Sequence, residues 1–378
     1  MKILLVSSYY YPNIVGGAEI STQKLAEGLF QCGHEVIVLC SDNYEKEEII
    51  RGVRVIRIKN ALHKGKLIST IEQFLWSRWN IFLSKRIYEI LQRVSPDVIH
   101  SNSLYMLSPI VWKCAEELNI PVVHTLRDYH LYPQSHIMKM LYKQMSQKVS
   151  IVTSPSYFTL KFFCKKGYFK QAVEKKRIVN AIDEPVDIDK IFSEKMFHKQ
   201  QHVNFAYLGR YTEEKGLLWL VNVFEKMSHL DCSLYLFGHG PLEEDIKDRI
   251  LTSKNIINKG FLKEEELYEE LKIIDVIIIP SLWEEPFGRV ILDAYVNAIP
   301  VIVTRMGGMP EFVKEGKTGF IVEPGNDLEL IRALSYFVNN NQKWPRMLTS
   351  IKPYLKNFYV SKQVKDFESM YYLALKKR

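Results

Sequence analysis

The feature that most restricts this chain is a series of twelve short apolar runs, in two sets of six, separated by stretches of helical patterning. The first set is Ile3–Ser8, Val36–Cys40, Val53–Ile58, Val98–His100, Val122–Thr125 and Val149–Thr153. The second is Phe205–Leu208, Leu234–Phe237, Ile256–Asn258, Val276–Ile279, Val301–Val303 and Phe320–Val322. A strand with one wet face alternates apolar and polar residues. A nearly continuous apolar run, repeated between helices, reads instead as a strand of a parallel sheet covered on both faces. The pattern therefore predicts an α/β protein with two Rossmann-like domains, and 378 residues suit two cores better than one. The polar, weakly patterned stretch 183–202 is read as a linker. It separates an N-terminal domain, 1–182, from a C-terminal domain, 203–355, with a helical segment, 356–378, beyond.

Several classes are set aside by composition. The opening MKILLVSSYYYP is too short in apolar residues for a signal peptide and reads as a first strand. No apolar run is long enough to span a membrane. The five cysteines are scattered, with neither CxxC nor zinc spacing, which predicts reduced thiols in a cytoplasmic protein. The net charge of +8 is uneven: residues 1–180 carry +11 and residues 181–378 carry −3. Two segments of the basic half mix lysine with large apolar side chains. Lys64 to Arg93 contains Phe74, Leu75, Trp76, Trp79 and Phe82, and Ile137 to Lys176 contains Met138, Met140, Leu141, Phe162 and Phe163. Such helices suit either an anionic membrane surface or ordinary basic outer faces. No nucleic-acid motif accompanies the charge.

Chemistry concentrates at strand ends. After Val276–Ile279 the chain reads PSLWEEPFGRVILD: Glu284 and Glu285, then Phe287 and Gly288, then a helical pattern carrying Asp293. Strand, turn and helix in this order place backbone N–H groups at the carboxyl edge of a parallel sheet, where they can hold anions. After Phe205–Leu208 come Gly209, Arg210 and Lys215, two cations five residues apart. Two fixed cations aimed at a diphosphate stabilise it most as its charge grows in a transition state. Phe237-Gly238-His239-Gly240-Pro241 and Lys259-Gly260-Phe261-Leu262 follow the next two strands. Gly16 and Gly17 close the loop after the first strand and allow backbone to approach an anion. The chain has neither a full GxGxxG fingerprint nor a P-loop, which argues against nicotinamide enzymes and NTPases.

This ordered set resembles the EX7E signature of retaining GT-B glycosyltransferases, family four, with Glu285 as the first acid and Asp293, one methylene shorter than the usual Glu, as the second. The resemblance implies two Rossmann-like domains facing across a cleft, and a last helix returning to the N-terminal domain. It implies that Glu285, Arg210, Lys215 and Asp128 carry the chemistry. Gly16, Gly17, Gly209, Gly238, Gly240, Phe261, Phe287, Gly288 and Asp293 would bind a nucleotide-diphospho-sugar. The family commonly shows T-L-H-D after a first-domain strand; here Thr125-Leu126-Arg127-Asp128 puts Arg127 where the histidine stands. His124, Arg127 and His130 are therefore expected on the acceptor side, each histidine being read alternatively as a packed core residue. Asp187-Ile188-Asp189 spells DxD but lies in the linker, and Arg210 with Lys215 would supply the charge a metal would bring. No metal and no cofactor are expected. The implied activity is retaining sugar transfer to a saccharide or lipid-linked acceptor in bacterial surface polysaccharide synthesis, at the inner membrane face. The alternatives are a nucleotide-sugar epimerase or hydrolase, and a non-catalytic sugar-nucleotide binding protein.

Overall fold

The computed structural model describes residues 1–59, 81–197, 202–227, 230–250, 253–340 and 344–377. Two compact units account for them: Met1–Asp183 with Tyr359–Arg378, and Glu184–Phe358.

The first unit is built on an eight-stranded sheet in the order β3-β4-β2-β1-β5-β6-β7-β8. The strands are β1 Lys2–Ser7, β2 Glu35–Asp42, β3 Lys46–Ile50, β4 Val53–Lys59, β5 Val98–Ser101, β6 Val122–Thr125, β7 Ile151–Ser154 and β8 Glu174–Arg177. All neighbours are parallel except β3, which runs antiparallel to β4. All six expected strands of this half form. The edge strands β3 (KEEII) and β8 (EKKR) have no apolar run to betray them. They are charged because an exposed edge must discourage pairing with other chains.

Helices cover both faces of this sheet. One layer holds Trp112, Phe163 and Phe169 against Leu4, Ile37 and Ile99; the other holds Leu25, Leu29, Phe367 and Tyr371 against Ile3, Val38 and Val123. Helix Val360–Lys376 belongs to this second layer. The amide of Val360 donates to Ile182 O, Gln363 Nε2 donates to Val179 O, and the buried His100 ring sits 2.7 Å from both Tyr371 Oη and Thr125 Oγ1. Gly28 of helix Gly17–Gln31 lets the two helices meet, since a Cβ there would stand 2.5 Å from Val360.

The second unit has a six-stranded, fully parallel sheet in the order β11-β10-β9-β12-β13-β14. Its strands are β9 Val203–Leu208, β10 Cys232–Phe237, β11 Ile256–Gly260, β12 Val276–Ile279, β13 Val301–Thr304 and β14 Gly319–Val322. Again all six expected strands form. Phe205, Phe224, Phe337 and Trp344 anchor one core layer.

The stretch read as a linker contains a helix, Ile188–Phe197, in the second unit. Its inward positions are Ile188, Ile191, Phe192 and Lys195, a helical spacing interrupted by one charge. Lys195 is buried because its ammonium donates to the carbonyls of Leu271 (3.1 Å), Lys272 (2.7 Å) and Ile274 (2.5 Å), at the end of helix Glu264–Leu271. Burial pushes its pKa down to about 8. Asp189 of the DxD triplet is exposed and pairs with Lys352 on helix Leu348–Leu355.

Candidate active site

In a doubly wound sheet, ligands bind outside the carboxyl ends of the strands where the strand order reverses. Chain order in the second sheet runs one way from β9 through β10 to β11 and the other way from β12 through β14, so the reversal lies between β9 and β12. The loops after these two strands carry Arg210 with Lys215, and Glu285.

The structure joins these loops. Lys215 Nζ donates to Glu285 Oε1, with the two side chains 24% and 14% exposed. Ser281 Oγ lies 3.3 Å from the same carboxylate oxygen, and the amide of Leu282 donates to Glu214 O at 2.9 Å. Gly216 stands in the left-handed region (φ +71°), and a Cβ there would lie 1.9 Å from Pro280 O. Only glycine allows this crossing of the two loops. From below, the amide of Gly308 donates to Glu285 O at 2.7 Å. Arg210 differs: its guanidinium is largely exposed, 4.0 Å from Glu214, while its carbonyl accepts from Tyr207 Oη at 2.6 Å. The backbone is fixed and the cation is left to solvent.

The loops after β10 and β11 continue this edge. Gly209 donates to Phe237 O, Tyr211 to His239 O, and Gly238 to Gly260 O. Gly238 has φ +145°, and a Cβ on it would meet Gly209 O at 1.8 Å. A Cβ on Gly240 would meet Tyr211 O at 2.6 Å. Both glycines are required by the packing of one loop on the next, independently of any ligand. Phe261 is exposed at the end of β11, with the His239 ring edge-on at 5.2 Å. The Phe287 side chain is buried against Phe312, 4.3 Å between centroids, leaving its backbone and that of Gly288 at the edge beside Glu285. Asp293, half-exposed on helix Val290–Val296, faces Arg289 at 3.7 Å within the same helix.

In the first sheet the reversal lies between β1 and β5. The loop after β1 runs to Gly16, which is the N-cap of helix Gly17–Gln31 and donates its amide to Glu19 Oε2 at 2.8 Å. Gly16 is extended, and a Cβ on it would meet nothing nearer than Glu19 Oε2 at 3.9 Å. The fold alone does not demand a glycine there. Glu19 is buried, which raises its carboxyl pKa against the pull of backbone N–H groups, and the charge of Asp128 adds to the rise. Asp128 is half-buried and accepts the amide of His130 at 2.9 Å. The His130 ring packs between Tyr105 and Tyr142; burial lowers its pKa and Asp128 opposes that.

Of the residues expected on the acceptor side, His124 takes its alternative reading as a packed core residue. His124 lies in the core, stacked on Phe169 and edge-on to Trp112. Trp112 Nε1 donates to Ser101 Oγ at 2.9 Å, and that hydroxyl stands 2.9 Å from His124 Nδ1. Burial in this layer keeps the ring neutral, pushing its pKa down to about 3. Arg127 is also buried. It donates to Asn102 Oδ1 (2.7 Å) after β5 and to Asn180 Oδ1 (2.5 Å) after β8. It ties strand-end loops together. In the sequence, Asn180 opens Asn180-Ala181-Ile182-Asp183, which resembles the family's N-G-x-D entry to the linker; the signal for Asn102, which was missed, is the run of small polar residues, Ser101-Asn102-Ser103, after a buried strand.

Residues 15–179 match the model described as Glycosyltransferase Family 4, and residues 188–352 match Glycosyl transferases group 1. The chain is 28% identical over 360 residues to an uncharacterised 42.6 kDa protein in the cps region of Klebsiella pneumoniae, covering 88% of this chain and 92% of that protein. Sucrose-phosphate synthase of Thermosynechococcus elongatus is similar in structure with a TM-score of 0.77 and 18% identity, over 100% of this chain and 99% of that one. Anabaena HepE in complex with UDP-glucose gives a TM-score of 0.72 and 18% identity, over 98% and 99%. The chain belongs to family 4 of the group 1 glycosyl transferases: it is a retaining glycosyltransferase of the GT-B fold that takes its sugar from a nucleotide sugar.

Proposed function

We propose that the second unit binds the nucleotide-diphospho-sugar at the β9/β12 reversal, that the first unit serves the acceptor, and that transfer needs no metal. The observation that carries this reading is the Lys215–Glu285 pair at the one place in the sheet where Arg210 is also delivered. As the glycosidic bond breaks, negative charge grows on the diphosphate, and Arg210 and Lys215 neutralise it. Glu285 holds Lys215 and meets the sugar hydroxyls, with the backbone at Phe287 and Gly288 beside it. Asp293 serves the ribose and Phe261 the base. Gly16 and Gly17 serve the phosphates, and Asp128 and His130 the acceptor. In retention the acceptor attacks the face that the diphosphate leaves, and a phosphate oxygen takes the acceptor proton.

The acceptor we infer is a saccharide or lipid-linked glycan of a surface polysaccharide, met at an anionic membrane face. Residues 129–173 hold seven lysines and no Asp or Glu. On helix His136–Met145, Ile137 and Met140 are exposed; Lys139 and Lys166 both lie over the Tyr132 ring, at 4.4 and 4.6 Å. Exposed apolar residues beside an acid-free lysine cluster favour anionic lipid. Of the other basic stretch, Phe74, Leu75, Trp76, Trp79 and the side chain of Phe82 lie outside the described residues. No described helix is long and apolar enough to cross a membrane.

Calorimetry and turnover with a panel of UDP-, GDP- and ADP-sugars, with and without EDTA, test the donor reading. Donor binding at micromolar Kd with EDTA-resistant transfer is expected. Strict dependence on a divalent ion would overturn metal independence, and donor consumption without an acceptor would favour an epimerase or hydrolase. Salt-sensitive flotation with anionic liposomes is expected; flotation equal to that with neutral liposomes would remove the membrane.

A further inference from the structure

Among the described residues of the first unit, Arg57 is the largest charged side chain fully enclosed, and no role has been given to it above. It stands on β4 opposite Cys40 of β2, 1% exposed. Its Nε donates to Glu48 Oε1 at 2.6 Å, and its Nη1 to Asp42 Oδ2 at 3.2 Å. The far side of the guanidinium turns to the loop after β1: Nη1 lies 3.4 Å from Tyr10 O, and Nη2 donates to Tyr11 O at 2.6 Å. Asp42 returns to the same loop, accepting from Asn13 Nδ2 at 3.0 Å, and the amide of Asn13 donates to Tyr10 O at 3.0 Å. Arg57 and its carboxylates thus grip three points of the loop, Tyr10, Tyr11 and Asn13. Immediately beyond them Ile14, Val15 and Gly16 are exposed.

Stability is a weak reason for such a group. Burying an arginine and a carboxylate forfeits hydration that their attraction regains only in part, and well-packed apolar residues do as well or better. What an apolar replacement cannot do is hold two successive carbonyls in one plane. Lysine, with a single charged point, cannot do it either. We propose that Arg57 is a positioning residue for sugar transfer: clamped by Asp42 and Glu48, it fixes the base of the β1 loop so that the Gly16–Gly17 backbone stands ready for the donor phosphates. The proposal rests on the reading that these glycines serve the donor.

The test is Arg57→Lys in the full chain, with hydrogen exchange of the amides from Tyr11 to Ala18 measured without ligand, beside steady-state kinetics. Exchange in this loop is expected to quicken about tenfold or more while the strands β1 and β5 stay protected, with kcat/KM for the donor falling about 10- to 100-fold and acceptor KM unchanged. Asn13→Ala leaves the buried charges in place and removes one tether; it is expected to move both readouts in the same direction by about threefold, and it stands in if Arg57→Lys does not fold. Unchanged loop exchange in both variants overturns the role of Arg57. Faster exchange with unchanged kcat/KM leaves the clamp standing and overturns the assignment of Gly16 and Gly17 to the donor.

Discussion

Two glycines that look alike in the sequence should behave oppositely when replaced by alanine. Gly16 is extended, with φ −169° and ψ −165°, and an added methyl would find its nearest atom at 3.9 Å. No strain and no clash oppose the change. Alanine is a poorer N-cap than glycine by about 0.5–1 kcal/mol, and the smaller entropy of its unfolded chain returns about 0.4–1 kcal/mol. The net is close to zero, so Tm should stay within about 3 °C of wild type. If a donor phosphate lies against the Gly16–Gly17 backbone, the methyl displaces it by about 1 Å, and kcat/KM should fall about 10- to 100-fold, or roughly 1.4–2.7 kcal/mol. Gly238 has φ +145°, and its added methyl would stand 1.8 Å from the Gly209 carbonyl oxygen, backbone against backbone. The two loops must part by more than about 1 Å, straining or losing the bonds Gly209 N–Phe237 O (3.0 Å) and Gly238 N–Gly260 O (2.8 Å). About 3 kcal/mol or more of stability should go, whatever the ligand. The assay is thermal unfolding without donor, paired with nucleoside-diphosphate release from the donor that the panel selects. Full transfer by Gly16→Ala, or a loss of Tm matching that of Gly238→Ala, would refute the distinction between a glycine kept for the ligand and one kept for the fold.

Lys215→Met and Glu285→Gln should each remain folded and lose about 100- to 1,000-fold in kcat/KM, since one preorganised charge at a leaving group contributes about 2.7–4 kcal/mol; near-normal turnover by either removes it from the site. The first unit should weaken in acid. His124 stays neutral when folded, with a pKa of about 3, while the unfolded chain takes up the proton near 6.5. The unfolded state therefore binds more protons between these values, and stability falls as pH drops below about 6.5, by about 2 kcal/mol at pH 5 from this residue alone. Denaturant unfolding of His124→Gln should show a flatter acid limb than wild type; an identical limb would refute the neutral-ring assignment. Lys195→Met should cost about 2–4 kcal/mol by stranding three carbonyls at a helix end, read as a lowered unfolding midpoint; an unchanged midpoint would mean that those carbonyls find other donors.

What could be read from the sequence follows how far each signal reaches along the chain. Strands covered on both faces declare themselves within three to six residues, and all twelve runs became strands, the edges β11 and β14 of the second sheet among them. The edges β3 and β8 did not, because the charge that protects an edge erases the apolar run. Helix Ile188–Phe197 was lost to one lysine in an inward position, although that lysine is buried for a reason only the far-off helix end supplies. The meeting of the β9 and β12 loops was legible because their order along the chain, cations after β9 and acid after β12, coincides with the reversal of strand order in space.

The carboxyl edge of the first sheet was less legible, and His124 explains why. It is the next-to-last residue of β6, and strand alternation turns it into the Trp112 and Phe169 layer, whereas Asp128, beyond the strand end, escapes that alternation. Both faces of β6 are covered, and burial runs on past the strand end through Leu126 and Arg127, so that Asp128 is the first half-buried position; local patterning does not show where that burial stops. Arg127 goes further: its partners, Asn102 and Asn180, stand 25 and 53 residues away on other strand ends. Each of the three is an ordinary polar loop residue by itself. Their meaning arises when the sheet order sets their strand ends along one edge, and the same holds for Arg57, whose carboxylates and carbonyls come from three segments of the chain. A charged residue in a loop at a strand end is then better read by asking which carbonyls and carboxylates the topology has already assigned to it.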